Sequence, residues 1–280
     1  MKKSNNSNLT FRFFEPFMEL LNPKLSLTTK KNRFLGRLKF YRNLGYVSPK
    51  VKNLIYNDKL IHNYKSPINH LNSLELNSYS DNLFLTQSTF KQIINFIKKT
   101  KCISFFNDKK SWYIDPLYPI NPDIYSIYRI IDPHKYNSLF SEIANQESIT
   151  NVVNMFLGKK PEIFNSQIWF SFPDTSNNNP DFRFHYDLYG KKFIKLFFYL
   201  DDVRAENGPH QILTGSHNAD QIYRFFNRRL PDFSLIEKKH ILHSFELPKA
   251  HGFFEDTYAY HRGSQVKKHR IILQFTWGIN

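Results

Sequence analysis

From residue 166 onward the sequence stops repeating at helical spacing and breaks into short apolar runs parted by turn residues; this change constrains the fold most. Ser166–Phe172 halts at Pro173, and Phe182–His185 resumes after the polar stretch Asp174–Asp181. Ile194–Leu200 is a continuous apolar run, suited to a central strand. Asp201-Asp202 and Glu206-Asn207-Gly208-Pro209 mark turns before a strand at Gln211–Leu213. Strands return at 244–247, 251–254, 259–262 and 271–277, after a partly helical insertion at 218–242 that carries Ile222, Phe225 and Phe226. About eight short strands with irregular connections predict an α+β chain with a mainly β core, a two-sheet jelly roll able to bury a ligand between its sheets.

Upstream, the spacing is helical. Phe14, Phe17, Met18 and Leu21 predict an amphipathic helix over 11–21, ending before Pro23. Phe34, Leu38 and Tyr41 make the apolar stripe of a second, with Arg33, Arg37, Lys39 and Arg42 as its cations. Residues 48–85 show no clear period. Phe90, Ile93, Ile94 and Ile97 predict a helix over 88–100 capped by Ser88, and aromatics alternating with Pro and Asp over 105–131 predict short strands and turns. Ile149, Val152, Val153 and Phe156 belong to a helical pair over 133–157 closed by Gly158. Residues 1–85 thus read as a basic N-terminal extension whose helices pack on the outside of a domain at 86–280, with core strands over 166–277.

A hydrophobic fraction of 41% with 17% aromatic residues excludes a wholly disordered chain. The net charge of +15 gathers at the front, where residues 1–50 hold eleven Lys and Arg against two Glu. Such a segment attracts nucleic acid, anionic headgroups or phosphorylated compounds without choosing among them. The plainer expectation is packing on the domain with a solvated basic face, and an AT-rich gene accounts for the Lys and Asn equally well. One cysteine, Cys102, forms no internal disulfide and suits a reducing compartment. There is no apolar run of about 18 residues, and Met1–Asn6 leads into no secretory signal. The expectation is a cytoplasmic protein with, at most, peripheral contact with a membrane through its front end.

Chemistry concentrates at His185-Tyr186-Asp187 and His261. Two imidazoles and one carboxylate form the donor set that binds non-haem Fe(II) on one face and leaves the other open. Side chains two apart on a strand share a face, so His185 and Asp187 point together and a facing strand must deliver His261. Arg270 opens the last apolar run, where a buried guanidinium could clasp a dicarboxylate; the basic neighbours Lys267-Lys268-His269 leave a surface arginine as the alternative. Arg183, Tyr186, Tyr260 and Arg262 flank the donors and read equally as substrate contacts at the pocket mouth or as ordinary packing and surface residues. His217 is expected to order a loop, and His210, His240, His243 and His251 show no partner spacing.

Over residues 150–277 these motifs resemble the Fe(II)- and 2-oxoglutarate-dependent dioxygenases, in particular the phytanoyl-CoA dioxygenase-like branch. The resemblance is carried by Gln167-Ile168-Trp169-Phe170, His185-Tyr186-Asp187, Lys195–Val203, Glu206-Asn207-Gly208-Pro209, Gly215-Ser216-His217, His261-Arg262-Gly263 and Arg270. It implies a double-stranded β-helix, iron on His185, Asp187 and His261, and 2-oxoglutarate held by Arg270 with Gln167 and Ser264 as further contacts. It also implies O2-dependent conversion of 2-oxoglutarate to succinate and CO2, coupled to hydroxylation of a small or lipid- or phosphate-linked, anionic metabolite. The family's hydroxyl two residues after the second His is Gly263 here, and its Lys before the first strand's Pro is Ser171. Asp187 leaves no vacancy for the halide of related halogenases. Thr276 stands where nucleic-acid dealkylases carry a second Arg, so nucleic acid is not the expected substrate. Lys195 is available as a Jumonji-type co-substrate contact, but Arg270 fits better. A second reading stays open: a non-catalytic jelly-roll binding module that uses its basic front end on nucleic acid or an anionic membrane.

Overall fold

The computed structural model describes residues 15–46, 58–158, 162–173, 183–230 and 234–279. Phe14, Phe182, residues 48–57 and the expected loop Asp174–Asp181 lie outside the described residues. Among the described residues nine antiparallel strands form the main sheet: β1 (Ile61–Asn63), β2 (Tyr79–Leu85), β3 (Cys102–Ser104), β4 (Ser111–Trp112), β5 (Ile127–Ile131), β6 (Glu162–Ser171), β7 (Lys192–Tyr199), β10 (His251–Glu255) and β12 (Arg270–Ile279). Their order is β1-β2-β10-β7-β12-β6-β5-β3-β4. A second antiparallel sheet, β11-β8-β9, joins β11 (His261–Gly263), β8 (His210–Leu213) and β9 (Leu242–Ser244).

The central strands β7 and β12 are buried on both faces, which explains why β7 reads as an unbroken apolar run. Its Ile194, Leu196 and Phe198, with Leu273, Phe275 and Trp277 of β12, share a core with α7 (Glu147–Leu157). The opposite faces turn Phe197, Tyr199 and Ile272 toward Ile212 and Phe245, so the small sheet covers this side. Register fixes which side chains reach that interior: Phe197 pairs with Gln274, and Ile272 with Trp169.

Local rules set the helices. α5 (Gln87–Lys98) is capped two residues before the expected Ser88, because Thr86, in extended backbone, accepts from the Thr89 amide. α7 ends at Gly158 with φ 76°, the left-handed turn anticipated there. The expected strand over 244–247 is instead β9, and the insertion holds two short helices, α8 (Gln221–Phe226) and α9 (Leu235–Lys239).

At the front, α1 (15–21), α2 (Leu27–Leu35) and α3 (Lys39–Asn43) pack on the insertion and the sheet. Lys24 and Lys31 are exposed, but the expected solvated basic face is corrected for Arg37 and Arg42. Arg37 is fully buried, reaching Glu19 at 3.0 Å, Glu15 at 3.5 Å and the Phe225 carbonyl at 2.9 Å. Arg42 meets Asp256 at 2.8 Å and lies 3.8 Å over the Tyr258 ring. Both cations are too far from water to stay unpaired, and the carboxylates and aromatic face compensate their desolvation. β2, which ends at Leu85, is hydrogen-bonded to β10 within the main sheet. Among the described residues no helix is long and apolar enough to cross a membrane.

Candidate metal centre

His185 and His261 exchange two backbone hydrogen bonds, His185 N to His261 O at 2.9 Å and the reverse at 2.8 Å. They form a single hydrogen-bonded antiparallel pair on the outer side of β11 rather than the strand expected at 182–185. Directly opposed residues share a face, so the rings lie 4.7 Å apart. Asp187, two residues on and tied by its amide to the Thr257 carbonyl at 2.8 Å, joins them from the same side.

Each imidazole donates Nδ1–H to the carbonyl two residues back, His185 to Arg183 at 2.9 Å and His261 to Ala259 at 3.0 Å. This fixes the tautomer that presents an Nε2 lone pair. His261 Nε2 is 3.6 Å from Asp187 Oδ2, His185 Nε2 is 4.0 Å from Oδ1, and one donor atom from each residue falls within 4.8 Å of the others. Two neutral nitrogens and a carboxylate oxygen, pinned from behind, could hold one divalent transition-metal ion and leave its other coordination positions to the pocket.

Charge around the donors is arranged in a second layer. Burial would raise the Asp187 carboxyl, but Lys195, whose Nζ lies 2.8 Å from Oδ2, and the two histidines hold it well below the usual carboxylate range. Asp187 in turn raises Lys195 against its own burial. Burial lowers His261 to about 4, keeping the ring neutral. Behind them Glu255, fully buried, lies 2.7 Å from His210 Nε2 and 3.7 Å from His261 Nδ1, and burial pushes its carboxyl up to about 7.

The donors open into a cavity of about 280 Å³ between the sheets, whose lining includes Trp169, Lys195, Phe197, His210, Arg270 and Gln274. Arg270 is therefore inside the pocket and not on the surface. Its Nη1 donates to the Gly208 carbonyl, and its buried Nε has no hydrogen-bond partner among the described residues. A Cβ at Gly263 would stand 3.1 Å from Nη2, so the absence of a side chain there makes room for the guanidinium.

Several expected contacts fall elsewhere. Tyr186 and Tyr260 are fully buried on the far side, their hydroxyls donating to the Arg224 and Asn227 carbonyls. Arg262 donates to Gln211 at 2.8 Å and stacks on Phe184 at 4.1 Å, while Arg183 is exposed. None of these four lines the pocket. For Tyr186, Tyr260 and Arg262 the reason is the two-residue period of extended chain: immediate neighbours of inward-pointing donors point outward. Ser264 Oγ donates to the Pro209 carbonyl at 2.9 Å, and Gln167 accepts from Gln274 at 3.4 Å; of these only Gln274 lines the cavity. His217 is buried against Ser78 Oγ, away from the donors, and orders that junction as expected. Glu255, Arg228 and Arg229 escaped sequence reasoning, and His210, whose spacing showed no partner, lines the cavity and meets Glu255. The available signal was charge embedded in apolar runs, as with Glu255 after Phe253-Phe254 and Lys195 between Ile194 and Leu196.

No protein-family model matches the sequence, and no curated protein matches it significantly. Solved structures do match. The non-heme alpha-ketoglutarate-dependent epimerase SnoN from nogalamycin biosynthesis aligns over 76% of this chain and 82% of its own at 10% identity, with a TM-score of 0.52. HygX from Streptomyces hygroscopicus, with nickel and 2-oxoglutarate bound, aligns over 75% and 86% at 13% identity and a TM-score of 0.50. EctD from S. alaskensis, with bound Fe, aligns over 80% and 82% at 12% identity and a TM-score of 0.50. At these identities the likeness is one of fold.

Proposed function

We propose that this chain is an Fe(II)- and 2-oxoglutarate-dependent dioxygenase, of the phytanoyl-CoA dioxygenase-like branch, built on a double-stranded β-helix. It hydroxylates a C–H bond of a small or lipid- or phosphate-linked metabolite, with O2 as oxidant and succinate and CO2 as products. The observation that carries this reading is the convergence of His185, Asp187 and His261 in one pocket with Arg270. Structural neighbours whose bound groups are iron, or nickel with 2-oxoglutarate, support it at the level of the fold. The lone thiol, Cys102, is buried, and we place the enzyme in the cytoplasm.

Each residue has a task that its surroundings allow. His185 and His261 would hold the ion through Nε2, because their Nδ1 protons are committed to backbone carbonyls. Asp187 would add one negative charge through its carboxylate, oriented by Lys195. Arg270 would pair with the distal carboxylate of the keto acid through a bidentate contact. Trp169, Phe197 and Ile272 line the cavity and limit water beside the reacting carbon. When bound, iron and 2-oxoglutarate would let O2 take up four electrons, two from the substrate C–H bond and two from oxidative decarboxylation of the keto acid, with one oxygen atom ending in the hydroxyl and the other in succinate.

Anaerobic addition of Fe(II) and 2-oxoglutarate should give a weak visible charge-transfer band that His185→Ala abolishes. A folded wild-type protein without the band would refute the assignment. Succinate release over a metabolite panel then reports the substrate.

A further inference from the structure

We propose that Arg228 and Arg229 form the substrate's anion site and that the substrate is a phosphate monoester with an apolar, largely planar body. This deepens the preceding reading and rests on it for the identity of the neighbouring ion and keto acid. The juxtaposition is set by backbone. Arg229 bridges His185 in an antiparallel pair, and the Tyr186 amide donates to the Arg228 carbonyl at 3.2 Å. A residue opposite His185 shares its face, so the Arg229 side chain rises on the metal-donor side. Arg228 Nε is anchored on the Tyr186 carbonyl at 3.0 Å, between two of the donors.

Charge decides the ligand. The pocket lining holds Lys195, Arg228, Arg229 and Arg270 but, among the described residues, one carboxylate, Asp187. Lys195 and Asp187 neutralise each other at 2.8 Å. Arg270 serves the keto acid. Arg228 and Arg229 remain, with no carboxylate partner among the described residues, and the buried Nε of Arg229 has no hydrogen-bond partner there. Two guanidinium forks match a dianion with three terminal oxygens, whereas a carboxylate offers oxygens for one fork. Beyond them Phe105, Trp169 and Tyr189 supply flat walls, and Ser126 and Ser171 supply hydroxyls. These suit a body whose C–H bonds face the ion.

Phenyl phosphate is a direct probe, titrated calorimetrically against the full chain, both bare and loaded with Fe(II) and 2-oxoglutarate without oxygen. Expected results are binding of phenyl phosphate but not phenol, at least about tenfold weakening in Arg229→Gln, and partial retention in Arg229→Lys. Arg228→Gln/Arg229→Gln should weaken it further while the charge-transfer band of 2-oxoglutarate persists. Equal binding of phenol, unchanged affinity in Arg229→Gln, or displacement of phenyl phosphate by 2-oxoglutarate would overturn the proposal. Should Arg229→Gln not fold, Arg229→Lys together with competition by inorganic phosphate against chloride decides the same question in folded protein. A missing band with phenyl phosphate still bound would remove the oxygenase reading while leaving the anion site intact.

Discussion

Arg270 has its place because residue 263 carries no side chain: a Cβ there would press on Nη2 at 3.1 Å. Gly263→Ala should therefore leave the metal donors intact but push the guanidinium aside, weakening 2-oxoglutarate by about tenfold, or roughly 1.4 kcal/mol. Titrating the charge-transfer band with the keto acid measures this, and unchanged affinity would contradict Arg270 as its partner. Lys195 makes a different prediction. Lys195→Met leaves Asp187 buried without its cation, which should cost the metal-free protein about 3–5 kcal/mol while enlarging the stabilisation conferred by Ni(II). Thermal melts with and without the metal report both effects. At this scale the donors were legible because their residue types and order carry the chemistry. The flanking contacts were not: Tyr186 and Tyr260 fail as mouth residues because neighbours in extended chain alternate faces. Arg228 and Arg229 sit in an insertion whose path no periodicity reveals.

Among the elements, α4 (Pro67–Asn77) is joined to β1 and β2 through His70, whose ring nitrogens meet Asn63 and Ser80, each at 2.8 Å. Nε2 donates to Asn63 Oδ1, and because burial disfavours the charged ring, Nδ1 is left to accept from the Ser80 hydroxyl. Burial, then Lys65, lowers its pKa from 6.5 to about 3, and burial lowers His217 to about 4. Between 6.5 and those values the unfolded chain binds more protons than the folded one, so stability is complete above 6.5 and falls as the solution is acidified. Each ring contributes at most about 1.4 kcal/mol per pH unit in that window. Denaturant midpoints across pH 7 to 4 should show the loss, and His70→Asn should flatten it; an unaltered slope would deny His70 this part. Element type was legible wherever the apolar period ran long, as in α5, α7, β7 and β12. It failed for β2, where Asn82 takes φ 76° and interrupts the alternation. It also failed for His185, whose pairing is a lone bridge with no strand around it.

Across the whole molecule, two sheets enclose the pocket; the share contributed after residue 166 followed from the change of texture there, whereas Phe105, Ser126 and Ile127, which join the lining from the first half of the chain, did not. The part played by the basic front end did not, because sequence counts charges without showing which of them are enclosed. Arg42 lies against Asp256, one residue from Glu255 and one from Thr257, whose carbonyl holds the Asp187 amide. Asp256→Asn, leaving that guanidinium without its counter-ion, should destabilise by about 3–5 kcal/mol. The same bond gives heat no separate seam to open. Slow calorimetric scanning should record one endotherm, with the leading helices and the pocket of His185, Asp187 and His261 melting together and the calorimetric and van't Hoff enthalpies agreeing. An early shoulder from departing helices would mean that the front of the chain merely rests on the rest.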